Sequence, residues 1–123
     1  MARILVIDDV RLMRNLIAET VQAAGHEVMC AANGKEGLKM FSAEAADLVI
    51  TDLIMPEKEG LETIQQLRSA QPDLKIIAMS GAPRQLMVLE MAAMVGAQKT
   101  LQKPFQMDEL TEAVETLLKA QAP

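Results

Sequence analysis

The stretch "LVITDLIMPEKEG", residues 48–60, decides the fold. Its first four residues are apolar or β-branched, with no polar alternation, and the run stops on Asp52. Pro56 and Gly60 then mark a turn. A continuous apolar strand is one buried on both faces, as in a parallel sheet covered by helices. An acid at the tip of such a strand has little to do for packing. Its purpose has to lie beyond the edge of the sheet.

Outward from this strand, short apolar runs alternate with segments of helical period. The other strand candidates are "RILVID" (3–8), "EVMCAA" (27–32), "LKIIAMS" (74–80) and "KTLQ" (99–102), and the central run itself extends over 47–52. Helices are expected over about 10–24, 34–44, 60–70, 83–95 and 107–120. The first would bury Met13, Leu16, Ile17, Thr20, Val21 and Ala24, and Gly25 would stop it. Gly37 within the second should cost about 1 kcal/mol relative to alanine. Strands and helices in alternation predict an α/β domain: a doubly wound, five-stranded parallel sheet with right-handed crossovers. One domain over 1–120 and a short tail over 121–123 account for the chain, with no output domain expected.

Sheets of this kind bind ligands beyond the carboxyl ends of their strands. The residues at those ends are Asp8 and Asp9, Asp52, Ser80, and the run Gln102-Lys103-Pro104, whereas Asn33-Gly34 reads as a turn. Each polar residue has an ordinary structural use. Asp9 would cap a helix, Asp52 would open a turn, Ser80 would cap the next helix, and Lys103 would be solvated surface. Together, on one edge of one fold, they point to chemistry. Three carboxylates brought together repel and would raise at least one pKa. A hard divalent cation relieves this, and Mg²⁺ suits a site of few protein oxygens completed by water and phosphate. A metal between Asp9 and Asp52, Lys103 on the remaining phosphate oxygens, a hydrogen bond from Ser80, and Asp52 as nucleophile make a site for phosphoryl transfer to a carboxylate.

The pattern "VIDD … DLVITDLIMPEKEG … IIAMSG … LQKPF" resembles the receiver domain of two-component response regulators, the CheY-like family, over essentially the whole chain. The resemblance implies a flavodoxin-like (βα)5 fold of strand order 2-1-3-4-5. It implies that Asp52 is the phospho-acceptor. Asp8, Asp9, Asp52 and the backbone carbonyl of Ile54 would hold Mg²⁺. Ser80 and Lys103 would be the switch hydroxyl and the phosphate-binding lysine, with a cis peptide bond before Pro104. Met55, Pro56 and Gly60 would form the turn after the acceptor. The donor would be a histidine kinase or a histidine phosphotransfer protein, and small phosphodonors would serve as well. The chain would then be a stand-alone switch, not an enzyme beyond its own phosphorylation and dephosphorylation. Its output would be a downstream protein target or onward transfer in a phosphorelay.

The sequence departs from that pattern in three places. Thr100 stands where many receivers carry the switch aromatic, and the chain has no tyrosine. Ile54 and Ala82 are apolar where many members have polar side chains that orient attacking water, which predicts slow self-dephosphorylation. The stretch from Ser80 to Gly96 is about one residue longer than in many members.

Composition narrows the partners. The chain has 123 residues, a net charge of −5, ten methionines, and Cys30 as its only cysteine. The charge has the wrong sign for a nucleic-acid surface, and one cysteine gives neither a disulfide framework nor a cysteine metal site. The apolar run of the first strand is cut by Asp8-Asp9, too short for a signal peptide or a membrane span, so a cytoplasmic protein is expected. The segment 85–97 is apolar nearly all round, which suggests a partner surface, or a homodimer face, at Leu86, Val88, Met91 and Met94. Leu12, pointing outward beside Asp9, is a second docking candidate, and His26 is expected to face solvent. A haloacid-dehalogenase-type phosphatase would want a second aspartate at position 54, where isoleucine stands. A flavin or nucleotide binder would want a phosphate loop after the first strand, where two acids stand. A receiver-like module that is never phosphorylated would not need the full set of Asp8, Asp9, Asp52, Ser80 and Lys103.

Overall fold

A computed structural model describes residues 2–53, 60–81, 90–94 and 96–119. The strands are β1 (Arg3–Ile7), β2 (Glu27–Ala31), β3 (Leu48–Asp52), β4 (Lys75–Ser80) and β5 (Lys99–Gln102). The helices are α1 (Arg11–Ala23), α2 (Gly34–Ala43), α3 (Gly60–Ala70), a helical stretch over 90–94 (α4) and α5 (Met107–Lys119). All strand pairs are parallel, in the order β2-β1-β3-β4-β5. This is the doubly wound fold that the alternation implied, and β3, fully buried along its length, lies at its centre. The expected helix over 83–95 falls within the description only at 90–94.

The strands bury both of their faces because successive side chains point to opposite sides. Ile4 and Val6 of β1 join Ile17, Val21, Leu48, Ile50, Leu110 and Val114 under α1 and α5. Leu5 and Ile7 join Phe41, Val49, Ile64, Leu67 and Ala92 on the other side. Two cores of this kind explain how a chain with two phenylalanines still fills its interior.

Local chemistry sets the element ends. Gly25 adopts φ +101° after α1, a conformation that favours glycine. Asn33 is more than a turn residue: its Oδ1 accepts from the Glu36 N–H at 2.8 Å and caps α2, while Glu36 reaches back to the Ala32 N–H. α5 opens with Asp108 and Glu109 and closes on Lys119, as its dipole prefers. At the edge where β4 and β5 begin, the Arg68 guanidinium donates to the carbonyls of Pro72, Leu74 and Gly96, each at 2.6 Å. Gln98 lies in the same cluster, accepting from Ile76 N–H at 2.8 Å and donating to the Leu74 carbonyl at 2.9 Å.

Two expectations are corrected. Leu16 and Ala24 are not core residues: Leu16 is 44 % exposed, and Ala24, the C-cap of α1, is exposed as well, because the buried stripe of α1 is narrow and centres on Ile17 and Val21. His26 does not face solvent. Its side chain is 8 % exposed, its Nδ1 accepts from the Ala2 N–H at 3.1 Å, and its Nε2 lies 3.0 Å from Glu115 Oε1 on α5.

Gly37 has a reason that helix propensity does not supply. A Cβ there would run into Ile7 Cδ1 and lie 2.9 Å from Ile7 Cγ1 in the fully buried core. Propensity alone would reward Gly37→Ala by about 1 kcal/mol, whereas overpacking costs about 1–3 kcal/mol. Urea unfolding of Gly37→Ala is therefore expected to show a net loss of about 1 kcal/mol. A gain in stability would contradict this packing account.

Candidate functional site

The carboxyl ends of β1, β3 and β4 and the segment after β5 meet at one rim. Asp8 follows β1 directly and is completely buried. Every polar part of it is held: its N–H donates to the Ala31 carbonyl at 3.2 Å, and its Oδ1 accepts from the Val10 N–H at 2.9 Å. Its carbonyl accepts from Arg14 Nη1 at 2.8 Å, and its Oδ2 from Lys103 Nζ at 3.0 Å. The bond to Val10 also secures the start of α1, whose N-cap Val10 has no side chain able to do so. Asp9 is exposed at the rim and is not the cap.

Asp52 ends β3 and is 6 % exposed. Its Oδ2 accepts from Lys103 Nζ at 3.3 Å, so one ammonium spans the carboxylates of two neighbouring strands. Lys103 reaches this position because its own N–H donates to the Ser80 carbonyl at 2.8 Å, continuing the β4–β5 ladder past the end of β5. Gly81 leaves it room to pass: a Cβ at 81 would lie 2.8 Å from Lys103 Cβ. Gly60 does the same for β3, since a Cβ there would lie 2.7 Å from the Asp52 carbonyl oxygen. The Lys103–Pro104 peptide is cis.

The electrostatics follow from this crowding. Carboxylate oxygens of Asp8, Asp9 and Asp52 lie within 4.8 Å of one another. Burial alone would lower the Lys103 pKa; the charge of Asp52, and then the hydrogen bond and charge of Asp8, outweigh it and hold the ammonium above its ordinary value. Ser80 Oγ is buried and has no hydrogen-bond partner among the described residues. An unsatisfied buried hydroxyl costs roughly 1–3 kcal/mol. Asp9, Val10, Met13, Asp52, Gly81, Lys103 and Pro104 line an open depression of about 530 Å³. An all-oxygen donor set of three acids, one of them at the rim, fits a hard divalent cation.

The strand-end residues singled out in the sequence, Asp8, Asp9, Asp52, Ser80 and Lys103, thus lie at one rim. Ile54, Met55, Pro56, Ala82, Leu86 and Val88 lie outside the described residues. Thr100 is half-buried on β5, on the face opposite Leu101. Leu12 is 81 % and Met94 85 % exposed, with Met91 also exposed, while Ala92 between them is buried. Leu16, one helical turn from Leu12, widens the apolar surface beside the site. Sequence reasoning passed over Arg14. Its signal was present: a cation between Met13 and Ile17, on the inward flank of α1, must find an acceptor. Burial pushes the Cys30 thiol up, and the Arg14 charge opposes this.

Fold and site define a class, and similarity agrees. Residues 4–115 match the family described as the response regulator receiver domain. The chain is 37 % identical over 120 residues to the chemotaxis protein CheY of Listeria monocytogenes, covering 97 % of this chain and 100 % of that protein. It is 38 % identical over 122 residues to the transcriptional regulator NtrC of Azospirillum brasilense, covering 99 % of this chain but 25 % of that protein. A receiver domain structure from Clostridium thermocellum superposes with a TM-score of 0.91 at 29 % identity, over 98 % of this chain and 97 % of that one. TrrA of Thermotoga maritima, in complex with Mg(2+)-BeF, gives 0.85 at 38 % identity, over 95 % and 99 %. The chain belongs to the response regulator receiver family of two-component systems, the CheY-like proteins. Among the described residues, no helix is long and apolar enough to cross a membrane.

The raised Lys103 pKa has a sign that can be tested. A pKa raised on folding contributes stability in full below the unfolded-state value and loses it as pH rises through the folded-state value. The stability gap between wild type and Lys103→Met, measured by urea unfolding in the presence of a chelator, is expected to narrow as pH climbs beyond the ordinary lysine value of 10.5. A gap constant into strong alkali would show that the ion pair is not its source.

Proposed function

We propose that the chain is a phosphorylation-dependent switch whose acceptor is Asp52. The observation that carries this is the ammonium of Lys103 poised between Asp8 and Asp52 at the mouth of an open, acid-lined depression. An Asp52 oxygen attacks phosphorus, the donor's leaving group departs, and an acyl phosphate remains on the chain. Lys103, already beside Asp52, pairs with the phosphoryl oxygens, and Ser80 Oγ gains in them the acceptor it lacks. Asp9 and Asp52, with Asp8 behind them, would hold Mg²⁺; the resemblance to receivers adds the main-chain carbonyl of Ile54, which lies outside the described residues. When bound, the ion neutralises charge on the transferring group. Lys103 is thereby drawn from the two carboxylates toward the phosphate, and this redistribution of charge is the start of the switch.

The phosphodonor is a histidine kinase or a histidine phosphotransfer protein, docked on the apolar surface of Val10, Leu12 and Leu16 beside Asp9. The downstream partner, a target protein or a second copy, meets the face of α4, β5 and α5, where Met91 and Met94 are exposed. Thr100 cannot supply the swing of an aromatic ring, so the readout runs through the Ser80 and Lys103 ends of β4 and β5. Catalysis is limited to the chain's own phosphorylation and dephosphorylation, and the expected setting is the cytoplasm.

Incubation with Mg²⁺ and acetyl phosphate is expected to yield an acid-stable, base-labile phosphate on the wild type and none on Asp52→Asn, read by intact-protein mass. Label retained by Asp52→Asn, or repeated turnover of phosphate esters without a stable phospho-form, would overturn the assignment. Because Ile54 and Ala82 offer no polar group to attacking water, the phospho-form, once separated from donor, should decay slowly. A half-life of seconds would contradict that.

A further inference from the structure

Arg14 lies outside the set of strand-end residues, yet it donates to the main chain of the acidic pair. Its Nη1 is 2.8 Å from the Asp8 carbonyl oxygen. Its own N–H is bonded to the Val10 carbonyl at 2.9 Å, so the side chain springs from the first turn of α1 and returns over the peptide that leads into that turn. The Asp8 side chain is fixed from two other directions, by Val10 N–H and Lys103. The Asp8–Asp9 peptide is one rigid plane, so holding its carbonyl also sets the direction of the Asp9 N–H. What remains for Asp9 is rotation about its own backbone and side-chain bonds.

We propose that Arg14 is a positioning residue for the metal site, holding the Asp8 carbonyl so that the Asp9 carboxylate is turned toward Asp52. This rests on the assignment of Asp9 and Asp52 as the cation's ligands. The effect opposes what charge alone would do. A guanidinium near a cation site repels the cation, so removing it should tighten binding. If the Arg14 hydrogen bond sets the ligand geometry, removing it weakens binding instead. Groups that orient metal ligands through hydrogen bonds typically cost about 10–100-fold in affinity when removed. The exposed placement of Asp9 and the single neutral acceptor favour the lower end.

Mg²⁺ alone, titrated into the full chain and followed by amide NMR, tests this without any phosphorylation. Arg14→Met is expected to weaken Mg²⁺ binding about tenfold. The Asp9 amide resonance of the metal-free protein should shift, while the unfolding midpoint in chelator stays well above the titration temperature. Arg14→Lys, which keeps the charge and one donor but not the planar fork, should fall between wild type and Arg14→Met. Affinity unchanged or tightened in a folded Arg14→Met would overturn the proposal. Should Arg14→Met fail to fold, Arg14→Lys decides alone: weaker binding supports the positioning role, and equal binding overturns it. A wild type that binds no Mg²⁺ would remove the metal-site assignment itself, and the role of Arg14 with it.

Discussion

The ammonium of Lys103 between Asp8 and Asp52 is the interaction on which the rim of this molecule depends. A parallel sheet brings its strand ends together whatever stands on them. Here two of those ends carry acids that are nearly or wholly buried, on adjacent strands. Without a cation between them, the edge would hold like charges in a poorly solvated place, where the cost of separation from water is greatest. The cation arrives from the far side of the sheet, carried past β4 by the backbone bond from Lys103 to Ser80. The local glycines belong to the same solution, since Gly60 and Gly81 keep side chains out of the way of the strand ends.

Much of this rim is legible in the order of the residues. Continuous apolar runs mean strands covered on both sides, and that alone places Asp8, Asp9, Asp52, Ser80 and Lys103 on a common edge. What is not legible depends on partners distant in sequence or without a chemical signature of their own. His26 pairs with Glu115, 89 residues away, and nothing near either residue announces the other. Leu16 satisfies the helical period of the core, but α1 covers the sheet with a stripe too narrow to include it. Gly37 reads as a weakness in a helix, because Ile7, which needs the space, is thirty residues earlier in the chain. Arg14 bonds to a carbonyl, a group every residue carries, so no motif could name its acceptor.

The surfaces beside the rim repeat this contrast between the local and the distant. Val10, Leu12 and Leu16 are exposed on the same helix that anchors Asp8 through Val10 N–H and Arg14. Anything that presses on this helix therefore reaches the acidic pair directly through two hydrogen bonds, besides acting through the core under Ile17 and Val21. The α1 helix is at once part of the sheet's cover, the support of the acids and the bearer of exposed apolar side chains beside the site. Its lack of an ordinary N-terminal cap is consistent with that shared duty: the group that secures its first turn is Asp8 itself.

The opposite edge is closed by other means. Arg68 draws together the carbonyls of Pro72, Leu74 and Gly96, and Gln98 completes the ring. These acceptors are neutral, so the attraction is short-ranged and little screened by dissolved ions, whereas the opposite rim rests on full charges whose interaction depends on what surrounds them. Charge stands at this end too, but at the surface: Arg3, at the start of β1, pairs with Glu44 at 3.3 Å and with Glu27 at 3.9 Å. Dissolved ions screen such exposed pairs far more than a buried one. Lys103 with Asp8 and Asp52 is the buried one. Added salt therefore loosens the outer ties of the strand starts first and leaves the charged pocket at the strand ends insulated, responsive to an ion that enters it and not to the ionic atmosphere around it.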